Sequence, residues 1–527
     1  MDRLRQSIRR NLALIITLSV LAFFYILAVQ GMSTKDWVIT TLRGLSVGAV
    51  IFLVASGLSL IFGLMDVLNL AHGTLFMIGA YIGWSIFVRP DTFVDIFPMM
   101  ALLLVGFVGM PLWEYLAGQF NLSTAAARIW PWISLGSAVL LVGYILPRYP
   151  LAIWDAEVYN DSPVSWTLNF TNGMVNTLIQ PAQFTSVSPG VAILGLILIG
   201  VLVALSVAGF TSRRQARRAG GLSISPRLIL VVVLLLILGI IFIVYNDQIT
   251  GGLFAISTNW LFLISVFIAV LSGAALGGLM ESTLIRPLYA RPIYQLMLTL
   301  GLGVIGTEFV RAVWGRSGFT MPRSQLFEGS GEGCPASTFG AWLEHHCSII
   351  LVNIAGEETR IRVYNEIFLI LAGLVVLIVV WALLRYTRLG MTIRAGVQDS
   401  DMVEALGINV RRVFTLVFAL GAGLAALGGA LSAPATGLSD LMGANLLLTA
   451  LIALAIGGLT SFPGSALGAV IVGLLQQFII KYGQIGIHLP GLDITFKPTP
   501  PLVPASTVFL MVIILLAMPQ GLLGRQE

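Results

Sequence analysis

The sequence predicts an all-α fold, a bundle of helices that crosses a membrane many times. Of the 527 residues, 57% are hydrophobic and only 10% are charged, whereas soluble domains carry about 25% charged residues. The mean hydropathy is +0.95. The apolar runs are about 20 residues long, which suits a membrane-spanning helix and exceeds a barrel strand. Helices satisfy their own backbone polar groups in lipid, so these runs are expected to be helical.

The apolar runs indicate about fourteen transmembrane or re-entrant segments. The first follows an arginine-rich start, is long for a signal peptide and has no clear cleavage site after it, so we expect a retained helix. The runs at 74–88 and 446–457 are short for a full crossing and can be re-entrant or broken. The runs are 12–29, 38–63, 74–88, 99–116, 129–146, 191–210, 228–245, 260–280, 295–314, 366–384, 414–431, 446–457, 465–480 and 503–518.

The basic residues favour an orientation with both termini in the cytoplasm. If every segment crosses, the arginine-bearing connections at 213–218, 286–291 and 388–412 lie inside together with Arg525. Positive charge collects on that side of membrane proteins, which also accounts for the net charge of +5. No long basic stripe with interleaved aromatic residues indicates nucleic-acid binding.

Two long loops, at 148–189 and 315–363, then face outward. The second holds both cysteines of the chain, Cys334 and Cys347. An oxidising compartment favours a disulfide between them, and two unpaired thiols are the alternative. The neighbouring Glu344, His345 and His346 are weak candidates for a metal site, because adjacent histidines on an exposed loop are usually solvated; no metal is expected.

The glycine-rich runs at 272–278 and 421–429 place small side chains three and four residues apart. Such faces let helix backbones approach closely in lipid, so we interpret both runs as helix-packing surfaces.

The sequence contains no recognisable catalytic motif. It lacks a phosphate-cradling Gly-x-x-x-x-Gly-Lys-Ser/Thr loop, a His-Glu-x-x-His pair and a Gly-x-Ser-x-Gly elbow. Its three lysines are Lys35, Lys481 and Lys497. The chain is therefore not expected to be an enzyme, to hydrolyse ATP by itself or to hold a cofactor.

Polar residues gather between two apolar runs in the stretch 57–81. Asp66, Asn69 and His72 lie there, and polar groups at membrane depth need partners. Asn69 and His72 share a face if the stretch is helical, and Gly63 and Gly73 can break the helix. A broken helix lining a substrate cavity and a cytoplasmic turn with a hydrogen-bonded histidine are the two interpretations left open.

A second unusual stretch, 385–414, lies inside between two strong helices. Asp399, Ser400 and Asp401 resemble helix-capping residues. Met402, Val403 and Leu406 form a small apolar face that Gly407 and Asn409 end. A docking surface for a soluble partner and a helix lying on the membrane interface are both consistent with this pattern.

Five motifs resemble the permeases of branched-chain amino-acid ABC importers, a family with urea and amide relatives, and they occur in family order. They cover much of 37–81 and 261–524. The motifs are GLSLIFGLMDVLNLAHGTLFMIGAY, MESTLIRPLYARP, LRYTRLGMTIRAGVQDSDMVEALGINVRRV, AIGGLTSFPGSALGAVIVGLL and MPQGLLG.

The resemblance implies a permease that translocates amino acids in a bacterial or archaeal cell membrane. It implies two ATPase subunits, a sister permease that is usually a different chain, and an extracytoplasmic substrate-binding protein. By resemblance, Asn69, His72 and Gly73 lie nearest the translocation path. The residues of the ATPase-coupling helix are Glu404, Ala405, Leu406, Gly407 and Ile408.

Members of that family are usually shorter, so the resemblance divides the chain. Residues 1–36 form an extra N-terminal helix, and 37–88 the first part of the permease core. Residues 89–260 are an inserted hydrophobic region of about four helices. Residues 261–527 complete the core, with the outer loop 315–363 and the coupling loop 386–413.

A permease for urea or short amides is the nearest alternative function, and an ion-coupled secondary transporter is a more distant one. The latter needs buried acidic relays. Its few candidates are Glu114, Glu281 and Glu308, the last of which can pair with Arg311 one helical turn away.

Overall fold

The computed structural model describes residues 32–110, 112–113, 124–145, 187–215, 226–289, 291–316, 318, 320–354, 356–398, 400–405, 407, 409–489 and 494–524. The predicted helix at 12–29 and nearly all of the loop at 148–189 lie outside these residues. Every predicted apolar run that falls on the described residues corresponds to a helix there, although Gly109, Tyr245 and Met518 lie outside the helices.

The helices and strands follow one another in this order. The first half contains α1 (Thr34–Met65), α2 (His72–Val88), α3 (Pro90–Val108), α4 (Thr124–Ile145), α5 (Pro189–Gln215), α6 (Pro226–Val244), α7 (Asn246–Ala255), α8 (Thr258–Leu279) and α9 (Pro292–Trp314). The second half contains α10 (Phe339–His345), β1 (Ile349–Ile354), β2 (Glu357–Arg362), α11 (Leu369–Tyr386), α12 (Arg388–Gln398), α13 (Ser400–Ala405), α14 (Val410–Thr436), α15 (Met442–Gly457), α16 (Phe462–Ile485), β3 (Ile487–Leu489), β4 (Ile494–Phe496) and α17 (Leu502–Ala517).

Seven helical spans of the described residues are long and apolar enough to cross a membrane, and the bent pair α6–α7 makes an eighth if it counts as one span. The chain is thus a polytopic helical membrane protein. The total of about fourteen segments and the cytoplasmic termini stay predictions. The spans are Thr34–Gly63, Gly190–Gly209, Thr258–Leu288, Pro292–Arg311, Val363–Tyr386, Val410–Thr436 and Phe462–Ile485.

Two short antiparallel hairpins depart from the all-α prediction. In the first, β1 pairs with β2 and Ile349 lies opposite Arg362. In the second, β3 pairs with β4. Both hairpins join the ends of helices, where extended strands can pair their backbone groups with each other.

The described residues form two compact units. One contains the residues up to Trp84 together with those from Thr258 onward, and the other contains residues between Ser85 and Ser257. In the second unit, α5 packs against α3 and α4, and α6 packs against α3. The crossing of α3 and α5 is so close that a Cβ on Gly106 would lie 2.0 Å from the Gly200 carbonyl carbon.

The first unit is held together by antiparallel helix pairs with glycine and alanine at the contacts. The two small-residue runs singled out above pack against each other: a Cβ on Gly277 in α8 would lie 2.3 Å from the Ala422 Cβ in α14. Along the α1–α16 pair, a Cβ on Gly48 would lie 3.0 Å from the Ala469 carbonyl oxygen. Small side chains allow this approach, and lipid supplies little hydrophobic drive to replace it.

Two short helices, α2 and α15, begin inside the first unit and touch at their first turns. A Cβ on Gly73 would lie 2.2 Å from the Gly443 carbonyl oxygen, and a Cβ on Gly443 would lie 2.5 Å from that of Gly73. Each short helix follows a long helix, α1 or α14, and the same Gly-Leu-x-Asp sequence at 63–66 and 437–440. Because α1 and α14 are antiparallel, the chain enters the two short helices from opposite directions.

Candidate functional site

Asp66 ends α1 and begins the connection to α2. This residue has a left-handed backbone (φ 51°) and donates its N–H to the Phe62 carbonyl at 2.9 Å. An acidic residue tolerates that conformation better than most side chains. The helix thus ends between Gly63 and Gly73, but neither glycine ends it, since Gly63 lies within α1 and Gly73 within α2.

Asn69 and His72 do not share a helix face as the helical interpretation assumed. Asn69 lies in the turn before α2, where its Oδ1 accepts the Ala71 N–H at 3.1 Å and its carbonyl accepts the His72 N–H at 3.2 Å. His72 is the first residue of α2. Asn69 therefore shapes the entry to the helix, because its side chain satisfies a backbone donor near the helix start.

Both side chains are fully buried, with exposed fractions of 0%. A Cβ on Gly57 would lie 2.8 Å from Nε2 of His72, so α1 makes room for the ring by carrying a glycine there. The Val54 backbone is near the ring, but neither ring nitrogen has a hydrogen bond of ordinary geometry among the described residues, nor does the Asn69 amide nitrogen. Buried polar groups without hydrogen bonds are rare in proteins, so this position is a candidate for a functional role.

A cavity of about 540 Å³ opens in the first unit, within the range of ligand pockets. It is bounded by α1, α2, α11, α14, α15 and α16, together with the π-helical segment Val363–Phe368 that follows β2. Phe76, one turn beyond His72, lines it, whereas Asn69, His72 and Gly73 do not. The translocation-path role of those three residues stays a prediction.

The cavity wall carries an ion pair, between a half-exposed arginine and a buried glutamate, that the sequence did not single out. Arg43 donates through Nε to Glu366 Oε1 at 2.9 Å, with the arginine side chain 50% exposed and the glutamate 2% exposed. The other Glu366 oxygen accepts the Arg362 N–H at 2.8 Å. A lone arginine inside the apolar run of α1 is the signal that points to this site, since intramembrane charges usually serve a function.

Asn365, beside Glu366, is held by a second arginine. Its Oδ1 accepts from Arg323 Nη2 at 3.2 Å, and the Arg323 guanidinium lies 5.8 Å from the centre of the Tyr364 ring. Burial lowers the pKa of Arg323, and the nearby Arg362 charge lowers it further. This end of the first unit, which carries residues 320–362, is called the loop end below.

The opposite end carries residues 388–409 and is called the coupling end. Gly407 has φ +82° and donates its N–H to the Glu404 carbonyl at 2.9 Å, so it terminates α13. Asn409 instead begins the next helix, because its Oδ1 accepts the Arg412 N–H at 3.2 Å. Val403 is buried, and Met402 and Glu404 are exposed. Leu406 and Ile408 lie outside the described residues.

A buried polar cluster adjoins the coupling end. Glu281 is fully buried and accepts two hydrogen bonds from Arg286, at 3.1 and 2.9 Å, and one from the Tyr289 hydroxyl at 2.5 Å. Arg286 also donates to the Thr415 hydroxyl at 2.6 Å. The cluster therefore joins the end of α8 to the start of α14.

At the loop end, Cys334 and Cys347 form a disulfide with a Cα–Cα distance of 5.5 Å. Glu308 and Arg311 form an ion pair at 2.6 Å, and Arg311 also reaches Asp440 at 2.8 Å. The described residues hold no group of three or more His, Cys, Asp or Glu placed to bind a metal ion. The other relay candidate, Glu114, is outside the part of the chain that the structure describes.

The sequence is similar to those of known transport permeases. A sequence model of the family described as "Branched-chain amino acid transport system / permease component" matches residues 232–518. The high-affinity branched-chain amino acid transport system permease protein LivH of Escherichia coli is 28% identical over 276 residues, which is 52% of this chain and 78% of that protein.

Two further relatives match shorter stretches. The permease protein BraD of Pseudomonas aeruginosa, from a system of the same description, is 30% identical over 32% of this chain and 48% of its own length. The fructose import permease protein FruF of Bifidobacterium longum is 31% identical over 21% of this chain and 33% of its own. No solved structure matches the chain.

Proposed function

Because the chain belongs to the family of branched-chain amino acid transport permease components, we propose that it is the membrane-spanning subunit of an ABC importer. In this role it translocates branched-chain or related amino acids with energy from separate ATPase subunits. The family match over residues 232–518, which includes the coupling end, carries the proposal.

Each end of the first unit then has a partner. Two ATPase subunits dock at the coupling loop 386–413, through the coupling residues Glu404 to Ile408. The extracytoplasmic binding protein delivers substrate at the loop end, where Arg362 lines the cavity. A sister permease completes the translocation path. ATP binding shifts the permease between inward- and outward-open states by favouring one of them.

The chain divides as its motifs indicate. Residues 1–36 are an added helix, 37–88 and 261–527 are the permease core, and 89–260 are an insert. The protein resides in the cell membrane of a bacterium or archaeon. Substrate is the finer question, because FruF is described as a fructose permease and urea or short amides are further candidates.

Co-purification of the tagged chain from its native host in mild detergent tests the proposal. We expect two kinds of companion, ATPase subunits and a sister permease, identified by mass spectrometry. Isolation of the chain without an ATPase, even after crosslinking in the membrane, would contradict the importer function and favour an ion-coupled secondary transporter.

A further inference from the structure

The cavity at the loop end presents a cationic group with free hydrogen-bonding capacity. Glu366 is held by the Arg362 N–H and binds Arg43 through Nε only. The two terminal nitrogens of Arg43 have no other hydrogen bond among the described residues, and half of the side chain is exposed. An arginine oriented in this way can bind a carboxylate through two parallel N–H bonds. Arg362, whose N–H binds Glu366, also lines this wall.

Another wall of the cavity is the C-terminal end of α14. Ala435, Thr436 and Gly437 line it. The last carbonyl groups of a helix lack intrahelical partners and carry the negative end of the helix dipole. A cationic ammonium group is therefore favoured at this wall, opposite in sign to the arginines.

The third wall is apolar, and it follows one face of α1. Arg43, then Val47, then Val50 and Ile51 lie on successive turns of this face. Phe76 of α2 lies at the same apolar end. Ile51 and Phe76 are only 1% and 2% exposed, so they form the packed layer behind Val47 and Val50. The lining thus changes from charged to apolar along a single helix.

We propose that this cavity binds an α-amino acid in its zwitterionic form, with an apolar side chain. The terminal nitrogens of Arg43 hold the carboxylate, and the C-terminal turn of α14 faces the ammonium group. Val47 and Val50, backed by Ile51 and Phe76, contact the side chain. Glu366 is a positioning residue that holds the Arg43 guanidinium. The inference rests on the proposed function and adds a substrate site within the permease itself. A sugar or urea lacks both charges and would leave the arginine unused.

The test measures direct binding to the purified full-length chain in lipid nanodiscs. The probes are L-leucine and leucinamide, which keeps the ammonium group and replaces the carboxylate by a neutral amide. We expect wild type to bind leucine at least about tenfold more tightly, since hydrogen bonds to charged groups are stronger than those between neutral groups. In Arg43→Gln the preference should fall to within about threefold, and Arg43→Lys should recover part of it because lysine keeps the charge but lacks the fork.

Arg360→Gln is the matched control, because Arg360 is an exposed arginine of β2 outside the cavity lining. It should keep the wild-type preference. Equal binding of leucine and leucinamide by wild type, absence of leucine binding, or an unchanged preference in Arg43→Gln would each overturn the site. Fructose binding that survives Arg43→Gln without leucine binding would also overturn the assigned substrate class.

Failure of the site and failure of the importer function are distinguishable. Co-purified ATPases together with an Arg43-independent preference would overturn the site and leave the importer function standing. An Arg43-dependent preference in a chain that never associates with an ATPase would support the site and contradict the importer function. Size-exclusion profiles of the variants show whether each has folded.

Discussion

At Gly73 and Gly443 the backbones of α2 and α15 come into direct contact, and neither position has room for a side chain. The nearest atom to a Cβ on Gly73 is a backbone oxygen at 2.2 Å. A backbone atom moves only with its helix, so a methyl group there displaces α2 or α15 as a whole.

Gly73→Ala should therefore destabilise the protein by about 1–3 kcal/mol, which is the usual cost of overpacking. Thermal unfolding in detergent, followed by fluorescence size exclusion, measures the change. Gly301→Ala is the control, because no atom lies within 4 Å of a Cβ at Gly301 in α9. Equal melting temperatures for the two variants would show that the helices adjust freely.

The burial of Glu281 predicts that its substitution destabilises the protein more than substitution of the exposed Glu308. Glu281→Gln leaves Arg286 without its buried partner and should cost on the order of 2 kcal/mol, less than a fully buried pair because the Arg286 side chain is 32% exposed. Glu308→Gln removes a 56% exposed carboxylate from Arg311 and should cost clearly less than Glu281→Gln. The same melting assay compares them, and a larger loss for Glu308→Gln would contradict the assignment of Glu281 as a structural anchor.

At the scale of elements, the coupling end depends on the sharp turn between α13 and α14. Gly407 supplies a positive φ, and Asn409 then caps α14. Proline cannot adopt a positive φ, whereas asparagine tolerates it better than most residues that carry a Cβ. Replacing Gly407 by proline should therefore disrupt this turn, whereas replacing it by asparagine should preserve it.

Gly407→Pro should abolish most of the substrate-stimulated ATPase activity of the reconstituted complex while the protein still reaches the membrane. Gly407→Asn should retain most of it, because the turn is preserved. ATPase rates with and without substrate-loaded binding protein measure the effect. Full stimulation in Gly407→Pro would contradict a coupling role for this segment.

The loop-end segment is constrained by the Cys334–Cys347 bond, which closes a short loop. We expect neither cysteine to react with a maleimide in the unfolded, non-reduced protein, and both to react after reduction. Mass spectrometry of the labelled chain counts the reacted thiols. Equal labelling with and without reductant would exclude the bond in the native protein.

At the scale of the whole molecule, the loop end and the coupling end should lie on opposite sides of the membrane. In a background with both native cysteines replaced by serine, Gly340→Cys should react with an impermeant maleimide in intact cells. Arg388→Cys should react only after permeabilisation. Both positions are exposed, so accessibility depends on the side of the membrane, and the reverse pattern would invert the proposed orientation.

Local patterns in the sequence predicted the helical segments of the first unit well. Run length and apolarity identified α1, α8, α9, α11, α14 and α16, and the two shortest predicted runs correspond to α2 and α15. The small-residue runs at 272–278 and 421–429 predicted helix packing, and they face each other in α8 and α14. These features are local in the chain, which is why sequence alone reaches them.

Local patterns did not predict that α1 ends at Asp66 or that Asn409 caps α14. A glycine is the usual candidate for a helix end, yet Gly63 lies within α1 and Gly73 provides space against the Gly443 backbone. Which residue takes the left-handed conformation depends on how α1 and α2 pack, and periodicity does not record it.

The sequence by itself determined that this chain is a polytopic helical membrane protein with the motifs of an importer permease, because hydropathy and motif order are read along the chain. Only the tertiary structure decided where the cavity lies. Arg43 and Glu366 are 323 positions apart and meet at 2.9 Å, and the helix end that faces them belongs to α14. A site built from distant segments follows from the packing of small-residue helix faces, whose partners no single stretch of sequence specifies.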